Sequence, residues 1–109
     1  MTARSPIRWL TGAAALLVFA VGSPDAARAE AEDGRIIAER WCASCHLVGP
    51  GQDVASDQVP TFMQIAGDYD LDADELRRFL QMPHPPMPDM QLTHREIRSL
   101  IAYIDSLAP

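Results

Sequence analysis

Two cysteines and a histidine stand close together near the middle of the chain. Cys42, Cys45 and His46 form a Cys-Ala-Ser-Cys-His run, and there is no other cysteine. Cysteines three residues apart on a helix lie one turn apart on the same side, and a histidine four residues after the first lies on that side too. Both sulfurs can therefore reach the vinyl groups along one edge of a haem while the imidazole approaches the iron. The run predicts covalent haem attachment through two thioether bonds.

Three other uses of the cysteine pair have less support. A zinc site would need both cysteines and two of the three histidines, but His46 is adjacent to Cys45 and a second cysteine pair is missing. The remaining histidines are His84 and His94. A thioredoxin-like redox pair needs a preceding strand and a βαβ pattern, which the sequence lacks. A disulfide would close only a short segment and restrict the unfolded chain little. Haem attachment is the one use that explains His46.

A helix must deliver this motif. Ala38, Cys42 and Cys45 recur at helical spacing. The pattern predicts a first helix from Asp33 to about Ser44. This first helix would then deliver the cysteine motif.

Three more helices are predicted after the motif. A short one ends at Gly67, and residues typical of capping boxes, Asp72 with Glu75 and Thr93 with Glu96, precede two others. Apolar residues follow these starts at helical spacing: Leu76, Phe79 and Leu80, then Ile97, Leu100, Ile101, Ile104 and Leu107. No stretch alternates convincingly with period two. The predicted fold class is all-α, with about four helices around one haem.

The first 29 residues have the pattern of a secretory signal. Arg4 and Arg8 precede an apolar run from Trp9 to Val21, and small residues flank a cleavage point after Ala29. The run has thirteen residues, whereas a membrane-spanning helix needs about 20. The two arginines are not adjacent, which argues against the twin-arginine route. We predict a cleavable Sec-type signal over residues 1–29, a mature domain over 30–109, a periplasmic location and no stable membrane insertion.

Composition limits the partners. A chain of 109 residues with 48% hydrophobic content can form one modest core and one domain. The formal net charge is −6 and every basic residue is an arginine, so a nucleic-acid partner is excluded in practice. Removal of the signal takes away more arginines than carboxylates and leaves the mature domain more acidic. We expect redox proteins as partners. The acidic surface either steers a partner with a basic docking surface or only keeps the protein in solution.

A proline-rich segment surrounds one of the methionines. Proline stiffens the backbone around Met87, which suits a thioether that must hold a weak bond to iron. Met87 is the predicted second axial ligand, with Met90 next and His84 third. Met63 and Met82 fall within or at the end of predicted helices, where core filling is the more typical role. The prolines concerned are Pro83, Pro85, Pro86 and Pro88.

From Gly34 to Leu107 the chain resembles class I cytochrome c, and its smaller bacterial members in particular. The motifs occur in family order: Gly34, the Cys-Ala-Ser-Cys-His run, Val-Pro-Thr-Phe around Pro60, Pro-Pro-Met-Pro at 85–88, and Leu-Ile-Ala-Tyr-Ile at 100–104. The mature residues include no lysine, so the lysine-ringed haem edge of mitochondrial relatives, and the partners that go with it, are not implied.

The resemblance implies a fold and further site residues. The first and last helices would cross, with Gly34 against Leu100 and Tyr103. The carbonyl of Pro60 would accept a hydrogen bond from the proximal imidazole. The resemblance also places the methionine ligand at Met87.

An iron held by histidine and methionine has no open coordination position, and methionine favours the reduced state. The sequence therefore predicts a protein that carries single electrons and is not an enzyme. One alternative is a dedicated haem subunit of a larger periplasmic or membrane-bound oxidoreductase. A less favoured one is a haem enzyme or gas sensor with an open sixth position. The protein would be a monomer or a subunit of a redox complex.

Overall fold

A computed structural model describes residues 22–67, 72–82 and 85–109. The regular elements of these residues are four helices, and no strand occurs among them. The predicted all-α fold is confirmed. The apolar run of the predicted signal and His84 lie outside the described residues. The helices are α1 (Pro24–Trp41), α2 (Phe62–Gly67), α3 (Ala73–Gln81) and α4 (His94–Ser106).

Side-chain caps define where α3 and α4 begin. The Asp72 carboxylate accepts a hydrogen bond from the Glu75 amide at 2.8 Å. At α4 the Thr93 hydroxyl accepts from the Glu96 amide at 3.2 Å, and the Glu96 carboxylate accepts from the Thr93 amide at 2.8 Å. These bonds satisfy amide groups that have no partner within the helix. Both predicted helix starts are confirmed, and α4 has the complete capping box.

The end of α1 differs from the prediction. The helix ends at Trp41 and does not continue to Ser44. The Cys42 and Ala43 amides both donate to the Ala38 carbonyl, at 2.9 and 3.1 Å. Because two amides converge on one carbonyl, the regular series of helical hydrogen bonds stops there. The cysteine motif therefore lies in the turns that follow the helix.

The other end of α1 extends beyond the predicted start. The helix begins at Pro24 and passes without a break through Ala29 and Glu30. Residues 22–29 are all exposed, and Glu30 is the first residue of α1 that is partly buried. The packed part of the helix thus starts where the mature domain is predicted to start. No helix among the described residues is both long and apolar enough to cross a bilayer.

Helices α1 and α4 pack closely along each other at Gly34. A β-carbon placed on Gly34 would lie 1.9 Å from the Ser99 carbonyl oxygen and 2.8 Å from the Tyr103 β-carbon. The expected contact with Tyr103 is present, but the nearest atoms belong to the Ser99 backbone and not to Leu100. Only glycine permits this approach. Most of the buried core comes from these two helices and the segment after the motif, and α2 and α3 add one residue each. The core residues are Ala38, Cys42, Val48, Phe62, Leu76, Ile97, Leu100, Ile101, Tyr103 and Ile104.

Gly34→Ala is expected to destabilise the protein by about 2–3 kcal/mol, because the added methyl group would meet backbone atoms that cannot rotate away. Chemical unfolding of the haem-loaded protein measures the change. Gly67→Ala is the matched control, since its β-carbon would make an ordinary 3.6 Å contact with Pro109. We expect that control to stay within about 0.5 kcal/mol of the wild type. Equal losses in both variants would contradict the close α1–α4 contact.

The two short helices are attached less extensively. Both α2 and α3 contact α4, but in the described part of the chain they contact neither each other nor α1. Helix α3 buries only Leu76, and α2 buries only Phe62. The described residues thus form a tightly packed helix pair and two short helices that rest on α4.

Candidate haem-binding site

The cysteine motif forms a compact turn directly after α1. The amides of Cys45 and His46 both donate to the Cys42 carbonyl, at 3.1 and 2.9 Å. The three residues that could do chemistry therefore stay within about one turn of each other, although the helix has ended. Cys42 is buried, Cys45 is exposed, and no disulfide joins them. The alternative of a disulfide between them is not what the structure contains.

The His46 ring is held on one side by a backbone carbonyl. Its Nδ1 lies 2.7 Å from the Pro60 oxygen, which can only accept, so Nδ1 carries the proton. The Phe62 ring lies 5.6 Å from the imidazole between centroids and is tilted by 57°. The Phe62 amide donates to the Leu47 carbonyl at 2.9 Å and fixes this segment against the motif. With Nδ1 engaged, Nε2 is the nitrogen left to bind a metal.

Donors from other segments bind the backbone carbonyls in and just after the motif. The Ser56 amide donates to the Cys45 carbonyl at 2.9 Å. The Tyr103 hydroxyl donates to the Val48 carbonyl at 2.7 Å. This second bond ties the motif segment to α4, because Tyr103 lies on that helix. The turn is thus anchored by both the following loop and the last helix.

Gln52 is a site residue that the sequence reasoning missed. Its side-chain amide donates to the carbonyls of Ala43 at 2.9 Å, His46 at 2.8 Å and Val54 at 3.0 Å. Its oxygen accepts from the Val48 amide at 3.0 Å. A glutamine in a polar loop has no spacing that distinguishes it, so no sequence signal could have found it.

The surroundings of the cysteines disfavour zinc. Burial, and then the neighbouring Cys45, raise the pKa of the Cys42 thiol to about 11. Zinc binding would have to displace this proton, because the thiolate is the form that binds metal. Within the described ranges no three histidine, cysteine or carboxylate residues are grouped to hold a metal ion. His94, one of the histidines considered for zinc, is exposed at the start of α4.

The four methionines of the predicted mature domain differ in their surroundings. Met63 packs against the core, as expected. Met82 does not: it is 67% exposed, because it lies just past the end of α3 in an extended conformation. Met87 and Met90 are both partly buried and line one cleft with Met82. The structure thus brings the two leading ligand candidates together, and their order stays a prediction.

The site suits a haem. Two cysteine sulfurs that are not in a disulfide and an imidazole with an available Nε2 are the groups that covalent attachment and axial ligation need. Apolar side chains are exposed around the motif: Trp41 is 46% exposed and Val54, whose carbonyl is bound by Gln52, is 80% exposed. Isolated exposed apolar residues are common, but here they adjoin the attachment residues. A large apolar macrocycle would cover such a surface.

The helical fold and the attachment motif define a small monohaem c-type cytochrome. Residues 29–104 match the family described as cytochrome c oxidase, cbb3-type, subunit III, and the chain belongs to this family. It is also 44% identical over 100 residues to cytochrome c-552 of Bradyrhizobium diazoefficiens, a similarity that covers 92% of this chain and 96% of that protein. No solved structure matches the chain significantly. The protein is an electron-transfer protein with covalently attached haem c.

Proposed function

We propose that the protein is an exported, periplasmic carrier of single electrons whose iron is held by His46 and Met87. The hydrogen bond from His46 Nδ1 to the Pro60 carbonyl carries the proposal, because it fixes the tautomer and aims the other nitrogen. When bound, the haem supplies a one-electron iron couple. Cys42 and Cys45 attach it, and the imidazole and a thioether leave no open position for a substrate.

The export part of the proposal has two supports. The similarity to cytochrome c-552 covers 92% of the chain and so extends into the first 29 residues. Residues 22–29 are all exposed, so their removal is expected to leave the packed domain intact. We expect the mature protein to begin at Glu30. N-terminal sequencing and intact mass of the protein from a periplasmic fraction test this, and a retained N-terminal segment or a cytoplasmic location would contradict it.

A stand-alone carrier is favoured over a subunit. Cytochrome c-552 is matched over 96% of its length, so this chain is comparable to a whole small cytochrome. The alternative is supported by the family description, which names a subunit of an oxidase. Size-exclusion chromatography of native extract separates the two, since a carrier elutes at monomer size. Binding of carbon monoxide by the reduced wild-type protein would favour an open sixth position instead.

The distribution of charged side chains supports a redox partner with a basic docking surface. Four arginines of the described helices pair with carboxylates: Arg35 with Glu32 and Glu39, Arg77 with Asp74, Arg95 with Asp33, and Arg98 with Glu30. The loop at 51–58, which folds back on the motif, has exposed Asp53 and Asp57 and no basic residue. This loop therefore carries net negative charge near the attachment site, while Arg40, two residues before Cys42, supplies a positive charge there.

Electron transfer to the physiological partner is expected to slow as salt rises, because ions screen attraction beyond about 10 Å at 0.1 M. Stopped-flow kinetics at increasing ionic strength measures the effect. Asp53→Asn combined with Asp57→Asn is expected to flatten the salt dependence, whereas Asp105→Asn, an exposed carboxylate outside this loop, changes it less. A rate that is flat or rises with salt in the wild type would refute steering by these carboxylates.

A further inference from the structure

The side chain of Gln52 bridges both sides of the haem-binding turn. It binds the carbonyls of Ala43, inside the Cys-Ala-Ser-Cys-His run, and of His46, the residue proposed to hold the iron. The same side chain accepts from the amide of Val48 beyond the run. One residue therefore contacts the backbone before, at and after the histidine.

The orientation of this amide follows from its partners. Three carbonyl oxygens surround the nitrogen, and carbonyls only accept, while the Val48 amide only donates. Rotating the amide by half a turn would place oxygen against three oxygens and N–H against N–H. The partners thus determine the positions of both the nitrogen and the oxygen of the amide. Neither a carboxylate nor a hydroxyl can make the same set of hydrogen bonds.

The backbone before Gln52 is bent to bring it into place. Gly51 has φ 91, a left-handed conformation that favours glycine. This bend turns the chain back immediately before Gln52. The loop then returns to the motif again where the Ser56 amide binds the Cys45 carbonyl at 2.9 Å.

We propose that Gln52 is a positioning residue for the axial imidazole: by holding the His46 carbonyl and the turn around it, Gln52 fixes the orientation of the ring that binds the iron. This inference rests on the proposed ligation by His46. The Pro60 carbonyl holds the ring at Nδ1 while Gln52 holds its backbone, so the imidazole is fixed at two points. Groups that orient a metal ligand without touching the metal tune the metal's properties.

The test uses haem-loaded Gln52→Ala and Gln52→Glu proteins in the ferric state. Low-temperature electron paramagnetic resonance measures the g values, which depend on how the axial ligands are oriented about the iron. We expect both variants to show shifted and broadened g values and a shifted midpoint potential. Gln58→Ala and Gln58→Glu are matched controls, because Gln58 is exposed in the same loop and the glutamate adds the same charge there. The controls should keep the wild-type g values.

Each outcome distinguishes this inference from the proposed ligation. If wild-type spectra lack a histidine-bound iron, the proposed function fails first. If the wild type has one and the Gln52 variants match the Gln58 controls, Gln52 does not position the imidazole. Should Ala and Glu at this position yield no loaded protein, Gln52→Asn keeps the amide but is too short to span the turn, and its g values should also move. Wild-type g values in Gln52→Asn would then overturn the inference.

Discussion

Replacing both Cys42 and Cys45 with alanine is expected to abolish covalent haem attachment and to leave little folded protein. The predicted mature domain, 30–109, is small, and domains of this size generally need an internal staple. Among the described helices α2 and α3 contact α4 but neither α1 nor each other, so helix packing alone attaches them only weakly. Loss of the haem therefore removes folding energy as well as function. Intact mass under denaturing conditions and circular dichroism measure the two effects.

Ser44→Ala is the matched control, because Ser44 lies between the cysteines, is exposed, and its hydroxyl makes only a 3.8 Å contact with the Cys45 sulfur. This variant should load haem as the wild type does. In the wild type, one haem should remain on the peptide that contains Cys42 to His46. A free-thiol or zinc mass there would contradict the attachment, and a well-folded double variant would contradict the structural role of the haem.

Met87→Ala is expected to abolish the weak near-red iron–sulfur absorption band, to lower the midpoint potential and to let the reduced haem bind carbon monoxide. Each change has the same cause, since loss of the thioether opens the sixth position and removes a ligand that favours reduced iron. Absorption spectra of the ferric protein, a redox titration and carbon monoxide addition measure them.

Met90→Ala is a demanding control for this assignment. Met90 lines the same cleft as Met87 and is buried to a similar degree, so its loss leaves a comparable gap. We expect it to keep the near-red band and to exclude carbon monoxide. If Met90→Ala loses the band while Met87→Ala retains it, the ligand is Met90.

The parts of the fold that depend on local chemistry could be predicted from the sequence. The α4 capping box joins Thr93 and Glu96, which are neighbours on one turn, so residue types alone identify the start of the helix. The end of α1 could not be predicted in this way. There the chain leaves the helix because Cys42 and Ala43 share one carbonyl, and later segments hold the resulting turn in place.

The same distinction between local and distant contacts applies to the site. The spacing of Cys42, Cys45 and His46 carries its own chemistry, and the resemblance to class I cytochrome c implied the contact between His46 and Pro60 that the structure contains. Gln52 is different, because its four partners come together only when the loop reverses at Gly51. A contact between a side chain and the backbone of another segment leaves no periodic trace in the sequence.

Because α2 and α3 are packed less extensively than α1 and α4, the protein should unfold locally before it unfolds as a whole. Free energies of local opening follow the extent of packing, so amide hydrogens should exchange slowest in α1 and α4 and faster in α3. Met87 and Met90 lie in the segment between α3 and α4 and share a cleft with Met82, just past the end of α3. A fluctuation that releases α3 would therefore loosen this segment while the α1–α4 pair and the thioether attachment persist. With the proposed methionine ligand in this segment, such openings would expose that side of the haem first to solvent and to small diatomic molecules.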